Sequence, residues 1–432
     1  MVSTYFPRLL DRELADDLLG LPAIHLAGAK ATGKTETARR QAGSIVRVDD
    51  AATRARIEAD PSFIARQARP VLIDEWQRFP PTWDVIRRDV DEDNSPGRFI
   101  LTGSAHPRGA HIHSGAGRIT TLRMRPMSLA ERGRAMVTVS LDRLLGGTGQ
   151  DRASIEGVSD LSLEGYVDEI MSSGFPGVRA IPAKWRRNQL ESYVDDVIQR
   201  EFPEQGHTLR APETLRRWLH AYAAATGTTA TYSKILDAAT PGESDKPARK
   251  TTIAYRDVLQ SLWLLDTVPA WWPEPDTLSL LGQAPKHFLA DPALAAVLLE
   301  VDADDVLEGR VDRDPAVQVV AGGSGTVLGR LFEHLTALSL QCYSQSVGAR
   351  LSHLRTRDGA HEVDFIVQRK RRLVGFEVKL SPVVKDEDVR HLLWLRDRLG
   401  PRVSDLVVVT TGAEAYRRAD GIAVVPAALL GP

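Results

Sequence analysis

Cysteine is almost missing from this chain: 432 residues contain one, Cys342. A lone thiol excludes an intrachain disulfide framework and suits a reducing compartment. Absent too is any uncharged apolar stretch long enough to cross a bilayer. The first residues, Met1 to Leu21, are interrupted by Arg8, Asp11, Arg12, Glu13, Asp16 and Asp17, which is not the pattern of a secretory signal. A cytoplasmic protein without a membrane partner is expected. Charge of one sign is also scarce, the formal net charge being -2. That excludes a uniformly basic coat for nucleic acid but leaves local patches open. No internal repeat or low-complexity tract interrupts the chain. At this length it exceeds one ordinary core, so two to three units are expected.

What is present is more specific. Gly28-Ala29-Lys30-Ala31-Thr32-Gly33-Lys34-Thr35 satisfies G-x-x-x-x-G-K-[ST], the phosphate-loop or Walker A pattern, at every fixed position. The two glycines let successive backbone N–H groups turn towards phosphate oxygens, the lysine adds a charge over the outer phosphates, and the threonine hydroxyl is left for Mg²⁺. Ala23–Ala27 before it reads as a strand, and Thr35–Arg40 as the opening of a helix. Val71-Leu72-Ile73-Asp74-Glu75 then reads as a buried strand ending in the Walker B acids. Asp74 is the expected second Mg²⁺ holder and Glu75 the residue that orients the attacking water. A third strand, Arg98–Thr102, ends in hydroxyls, so that one of Thr102 and Ser104 senses the γ-phosphate or both simply cap the strand. Arg118, in Gly117-Arg118-Ile119, is the candidate cation for the transition-state charge, the alternative being a surface arginine. His25, His106, His111 and His113 lack an accompanying cysteine or acid and are read as solvated loop histidines.

Three units follow from the pattern along the chain. Residues 1–140 alternate short apolar runs (Ile24–Ala27, Ser44–Val48, Val71–Ile73, Arg98–Thr102) with helical stretches, as an α/β unit with a parallel sheet does. Leu144–Asp160 reads as a linker or exposed loop. Residues 161–270 are mostly helical, with Glu213–Ala224, Tyr232–Ala239 and Thr252–Leu264 as three helices. The third has a basic approach (Lys246, Arg249, Lys250), as a winged helix would present to DNA. In it Ile253, Val258, Leu259, Leu262 and Trp263 are expected inward, with Tyr255, Arg256 and Gln260 outward. An ordinary helical connector is the competing reading. Residues 271–432 carry a helix at about Val327–Cys342, then strands, a helix near Lys385–Leu399 and a strand at Leu406–Thr410.

Within this last unit, Glu362–Gln368 and Leu373–Lys379 alternate as two strands about the basic turn Arg369–Arg372. A symmetric turn sets Gln368 opposite Leu373 and Asp364 opposite Glu377, with Lys379 on the same face. Facing carboxylates cost about 0.2–1 kcal/mol on a sheet unless a cation offsets them. Asp364 with Glu377-x-Lys379 is the constellation of a restriction-endonuclease-like PD-(D/E)xK site. There the acids hold Mg²⁺ or Mn²⁺, and the lysine orients water or stabilises the pentavalent phosphate. Glu333, on the preceding helix, is the additional acid. The competing reading is a surface ion pair of Glu362 with Lys379.

The loop Gly28–Thr35, Asp74–Pro80, Leu101–Ser104, Gly117-Arg118 and Arg125-Pro126-Met127-Ser128-Leu129-Ala130-Glu131 together resemble a group of bacterial and archaeal AAA-type ATPases. Members of that group carry a C-terminal domain long labelled as of unknown function. The resemblance spans nearly the whole chain and departs from the usual pattern at Glu36 and at Ala29-Lys30, which are not fixed loop positions. It implies an ATPase with ATP and Mg²⁺ as ligands, whose nucleotide state controls a nuclease-like C-terminal module on DNA or RNA. Arg118 acting in trans would imply a homo-oligomer. The alternative is an ATP-dependent switch or protein-binding ATPase whose nuclease-like module is inactive.

Overall fold

The computed structural model describes residues 5–104, 115–147, 152–206, 211–240, 249–271, 284–321, 325–356 and 359–432. His106, His111, His113, Lys246 and most of the loop at 105–117 lie outside them.

The first sheet is formed by β1 (Ala23–Ala27), β2 (Ser44–Arg47), β3 (Val71–Asp74), β4 (Phe99–Gly103) and β5 (Ile119–Arg123), in the order β2-β3-β4-β1-β5. All pairings are parallel. Strands buried on both faces need no alternation, which is why β1 and β4 are buried along their whole length. One face packs against Trp76, Trp83 and Ile86, the other against Leu10, Leu14 and Leu18 of the helix Leu10–Leu18. His25 is a correction to the sequence reading. It points into the first of these layers, where Nε2 accepts from Trp76 Nε1 at 3.0 Å and the ring meets Trp76 and Trp83 edge-on. A histidine on a doubly buried strand cannot be solvated.

Leu144–Asp160 also differs from the expected exposed loop. Leu144 and Leu145 are buried in the helix Leu141–Gly146, which follows β6 (Val139–Ser140). Arg152 pairs with buried Asp405 at 2.6 Å. Further on, Ser154, Glu156, Val158 and Asp160 are exposed as a loop's residues are, while Arg152 ties that stretch to the C-terminal region.

The helical middle includes Pro212–Ala224, Tyr232–Ala239 and Arg249–Ser261. Val258, Leu259 and Leu262 are buried as expected, but Tyr255 is 7% exposed and Ile253 41%. The phase is set by the Tyr255 ring, which meets Phe202 and Trp218 edge-on. Burying an aromatic ring outweighs burying one isoleucine.

The second sheet contains β7 (Arg350–Arg355), β8 (Glu362–Arg369), β9 (Arg372–Val378), β10 (Val403–Thr410), β11 (Tyr416–Arg417) and β12 (Ala423–Pro426), ordered β11-β12-β10-β9-β8-β7. β7, β8 and β9 are antiparallel neighbours, whereas β10 runs parallel to β9 and β12. The helix Val327–Ser346 covers one face and Asp386–Leu399 the other. The residues on the first of those faces share one continuous core with the middle helices. The last strand, β13 (Leu430–Gly431), returns to pair with β6.

Candidate functional site

Register carries Ala27, Gly103 and Arg123 to one edge of the first sheet, with Asp74 at the end of β3 beside Arg47. The phosphate loop leaves from that edge. A Cβ at Gly28 would lie 2.1 Å from the Met124 carbonyl oxygen, so only glycine lets the backbones pass. Gly33 has φ 97°, the left-handed conformation that favours glycine, and Ala31 also turns positive, at 65°. These turns coil the loop ahead of the helix Lys34–Arg39.

Lys34 Nζ donates to the carbonyls of Gly28 (2.9 Å) and Ala29 (2.8 Å), bracing the loop from within. Burial pushes the Lys34 ammonium down to about 8, although the charges of Glu75, Glu201 and Asp74 oppose the shift. The Thr35 hydroxyl donates to Asp74 Oδ1 at 2.7 Å, and Thr102 Oγ1 donates to the same oxygen at 2.6 Å. Thr102 therefore orients Asp74. Glu75 follows with φ 57°, a left-handed backbone rare for a side chain of its size. Gln77 Nε2 donates to Glu75 Oε2 at 2.6 Å and reaches Ser104 Oγ at 3.4 Å, so Ser104 sits behind Glu75 through one amide.

Arg118 stands elsewhere. It precedes Ile119, which pairs with Ala23 at the opposite edge of the sheet from the loop, and its guanidinium is bound to Asp91 at 2.7 Å. It does not serve the phosphate site of its own chain.

A cavity of about 340 Å³ opens over the loop. Lys30, Ala31, Thr32, Gly33, Lys34, Thr35 and Glu75 line its floor, while Tyr5, Phe6, Met124, Pro176, Gly177 and Ala180 wall it. Three contributors escaped the sequence reading. Arg8 is a buried buttress, with Nη1 bonded to the Thr32 carbonyl (2.8 Å), Nη2 to the Arg125 carbonyl (2.6 Å) and Nε to Glu131 (3.0 Å). Glu201 pairs with Lys30 at 3.1 Å from the middle region, and Pro176–Ala180 closes the cavity from there. The Glu131 end of Arg125–Glu131 was the available signal for Arg8, since a buried acid demands a cation.

In the second sheet the hairpin register has Gln368 opposite Leu373, continuing to Phe365 opposite Phe376. Beyond that point the ladder changes. Between β7 and β8 the partner of Ser352 is Ile366 but that of Leu354 is Val363, a bulge of β8 that contains Asp364. Asp364 Oδ2 accepts the backbone N–H of Val378 at 2.9 Å. Lys379 Nζ pairs with Glu377 at 2.9 Å, not with Glu362 as the surface-pair reading held.

Glu333 and Asp364 meet at a residue that sequence reasoning missed, with the Glu377–Lys379 pair beside Asp364. Lys286 Nζ lies 2.6 Å from Glu333, 2.9 Å from Asp364 and 3.9 Å from Glu362. Its side chain is 2% exposed. Burial disfavours the Asp364 carboxylate, yet Lys286 outweighs it and holds Asp364 below the usual carboxylate range. Burial raises Glu333 to about 7 against the pull of Lys286, and raises Glu377 to about 8 with help from the Asp364 charge. Among the described residues no group of three or more His, Cys, Asp or Glu is arranged to hold a metal ion. The acids expected to take Mg²⁺ or Mn²⁺ do not fit a metal as they stand, because the Lys286 ammonium lies between Glu333 and Asp364 and the Lys379 ammonium is on Glu377. Nothing in the surroundings of Lys286, Ala284-Pro285 before it and His287 after, marked it in advance.

Residues 21–132 match the AAA domain family, 163–305 a domain of unknown function (DUF8612) and 328–430 another (DUF4143). Uncharacterized proteins of Mycobacterium tuberculosis and Mycobacterium bovis are each 24% identical over 422 residues, spanning 94% of this chain and 80% of theirs. Among solved structures, the Walker-type ATPase PABY2304 of Pyrococcus abyssi is 15% identical with a TM-score of 0.40, covering 68% of this chain and 96% of its own. Residues 21–132, which hold the phosphate loop, are thus similar to an AAA domain. No helix among the described residues is long and apolar enough to cross a membrane.

Proposed function

We propose that this chain binds and hydrolyses ATP at Gly28–Thr35 and passes its nucleotide state to the C-terminal sheet through the helical middle. The observation that carries this reading is the alignment of Lys34, Thr35, Asp74 and Glu75 at one sheet edge under a cavity. Loop N–H groups and Lys34 bind the β- and γ-phosphates. Thr35 hydroxyl and Asp74 carboxylate are hard oxygen donors of the kind Mg²⁺ takes, and Mg²⁺ held there neutralises phosphate charge. Glu75, fixed by Gln77, orients and polarises the attacking water, with Ser104 placed to report on the γ-phosphate through the same amide. Arg118, facing away from its own loop, reaches a phosphate only from a second copy, which makes a homo-oligomer part of the proposal.

Coupling is supported by the middle region's share of the cavity. Pro176–Ala180 and Glu201 sit over the loop, so a nucleotide entering it meets both units.

Phosphate release tests the proposal. Lys34→Ala loses nucleotide binding, whereas Glu75→Gln keeps binding and stops hydrolysis; normal turnover by Glu75→Gln removes Glu75 from the role. A second reading, action on DNA or RNA by the C-terminal unit, is favoured by the meeting of Asp364, Glu377, Lys379 and Glu333 and opposed by Lys286 among them. Nicking of plasmid or single strands in Mg²⁺ or Mn²⁺, lost in Asp364→Ala and in Lys379→Ala, would establish it. Without such nicking, the nucleotide-controlled switch with an inactive nuclease-like module stands.

A further inference from the structure

We propose that the Lys286 ammonium is the resident cation of the C-terminal carboxylate cluster, standing where a divalent cation would be held, and that removing it opens a divalent-cation site at Glu333 and Asp364. The inference concerns the second sheet only and is independent of ATP hydrolysis.

Geometry carries it. The Lys286 nitrogen takes one oxygen from Glu333 at 2.6 Å and one from Asp364 at 2.9 Å, with Glu362 at 3.9 Å. Mg²⁺ needs oxygens at about 2.0–2.1 Å around its centre. An ion among these oxygens would therefore stand where the nitrogen stands, and the two exclude one another. The lysine is also held from its backbone. Its N–H donates to the Val268 carbonyl at 2.9 Å, its own carbonyl accepts from Val268 at 3.0 Å, and the next N–H, that of His287, donates to Thr228 at 2.9 Å. A side chain anchored in this way does not vacate the cluster by a loop movement.

The acids themselves point to a ligand beyond the one they have. Glu377 is 7% exposed, one carboxylate oxygen is taken by Lys379, and the other, Oε2, is buried without a hydrogen-bond partner among the described residues. Asp364 is held in place by the Val378 N–H whether or not the ammonium is present. Once Lys286 is gone, Glu333 on its helix and Asp364 on its bulge lose the ammonium they share, while Lys379 stays on Glu377. Buried acids left without a cation take up either protons or a divalent cation, so the comparison is made at pH 8, where protonation competes least.

The test is Mn²⁺ binding to the nucleotide-free full chain, followed by electron paramagnetic resonance. Wild type and Asp364→Asn are expected to bind the same number of Mn²⁺ ions. Lys286→Met is expected to bind one more, and the double variant Lys286→Met/Asp364→Asn to lose it. Mn²⁺ should also raise the thermal midpoint of Lys286→Met relative to its effect on wild type. Wild-type Mn²⁺ binding that disappears in Asp364→Asn would overturn the proposal, as would a folded Lys286→Met that gains no ion. A Lys286→Met chain that folds only in Mn²⁺ supports it. If that variant stays unfolded in both, Lys286→Gln, which keeps a neutral donor, carries the same comparison.

Discussion

ATP binding should weaken as pH rises above 8, and Lys34 is the reason. Burial in the loop holds its ammonium at about 8 in the free protein, well below the ordinary lysine value of 10.5. The ammonium is the form that attracts polyphosphate, and bound phosphates favour it further. At pH 7 about nine-tenths of the free protein carries that charge, and at pH 9 about one-tenth. Between the two, every binding event must first take up a proton. Affinity therefore falls about tenfold from pH 7 to pH 9, or about 1.4 kcal/mol, and about tenfold again by pH 10. The last phosphate proton leaves at about pH 6, so the ligand's charge is constant across the window. Titration with a fluorescent ATP analogue at pH 7, 8, 9 and 10 and fixed ionic strength measures the slope. The Lys34→Arg variant supplies the control, since a guanidinium stays charged throughout and its profile should be flat whatever its absolute affinity. A wild-type affinity unchanged at pH 9, or a Lys34→Arg variant that declines in parallel with wild type, would refute the argument.

Arg8→Met should cost about 3–5 kcal/mol in urea unfolding, because it strands buried Glu131, and it should weaken ATP binding through the lost Thr32 carbonyl contact. Much of the stability, but not the affinity, should return in Arg8→Met/Glu131→Leu; equal recovery of both would deny Arg8 its place as a loop buttress. Burial pushes His334 down to about 4, so the folded chain refuses a proton that the unfolded chain accepts below pH 6.5. The stability it contributes is complete above pH 6.5 and is lost as pH falls towards 4. Glu333 and Glu377, raised to about 7 and 8, act in the opposite sense, their contribution being present below 4.5 and lost as pH rises. The wild-type curve is accordingly shallow, and the difference between variants is diagnostic: from pH 7 to pH 5, His334→Gln should lose about 2 kcal/mol less than wild type.

The parts of this molecule that were legible in its sequence are those a short backbone segment builds from its own residues. The phosphate loop is one: the spacing of Gly28 and Gly33 reports where a backbone must pass Met124 and turn left-handed, and no distant partner alters that. The β8–β9 register is another, set by a turn that pairs Arg369 with Arg372 and carries Gln368 to Leu373 by counting. Counting fails where the chain adds something out of step. The bulge at Asp364 gives its carboxylate a backbone N–H to hold, and a period of two does not announce it. The phase of Arg249–Ser261 failed similarly, because Phe202 and Trp218, supplied from other helices, decided that Tyr255 goes inward. The charge clusters show the limit most clearly. Residue type and order identified Glu333, Asp364, Glu377 and Lys379 as neighbours, and the fold brings them together. The cation between Glu333 and Asp364 comes from Lys286, 78 residues before Asp364. In the same way the cation of Glu131 is Arg8, 123 residues away. Buried acids found by pattern alone are thus an incomplete set, since electroneutrality obliges a partner and only the fold says which. An inferred metal site is, on this reasoning, a statement that a cation is needed, and in this sheet the chain supplies its own.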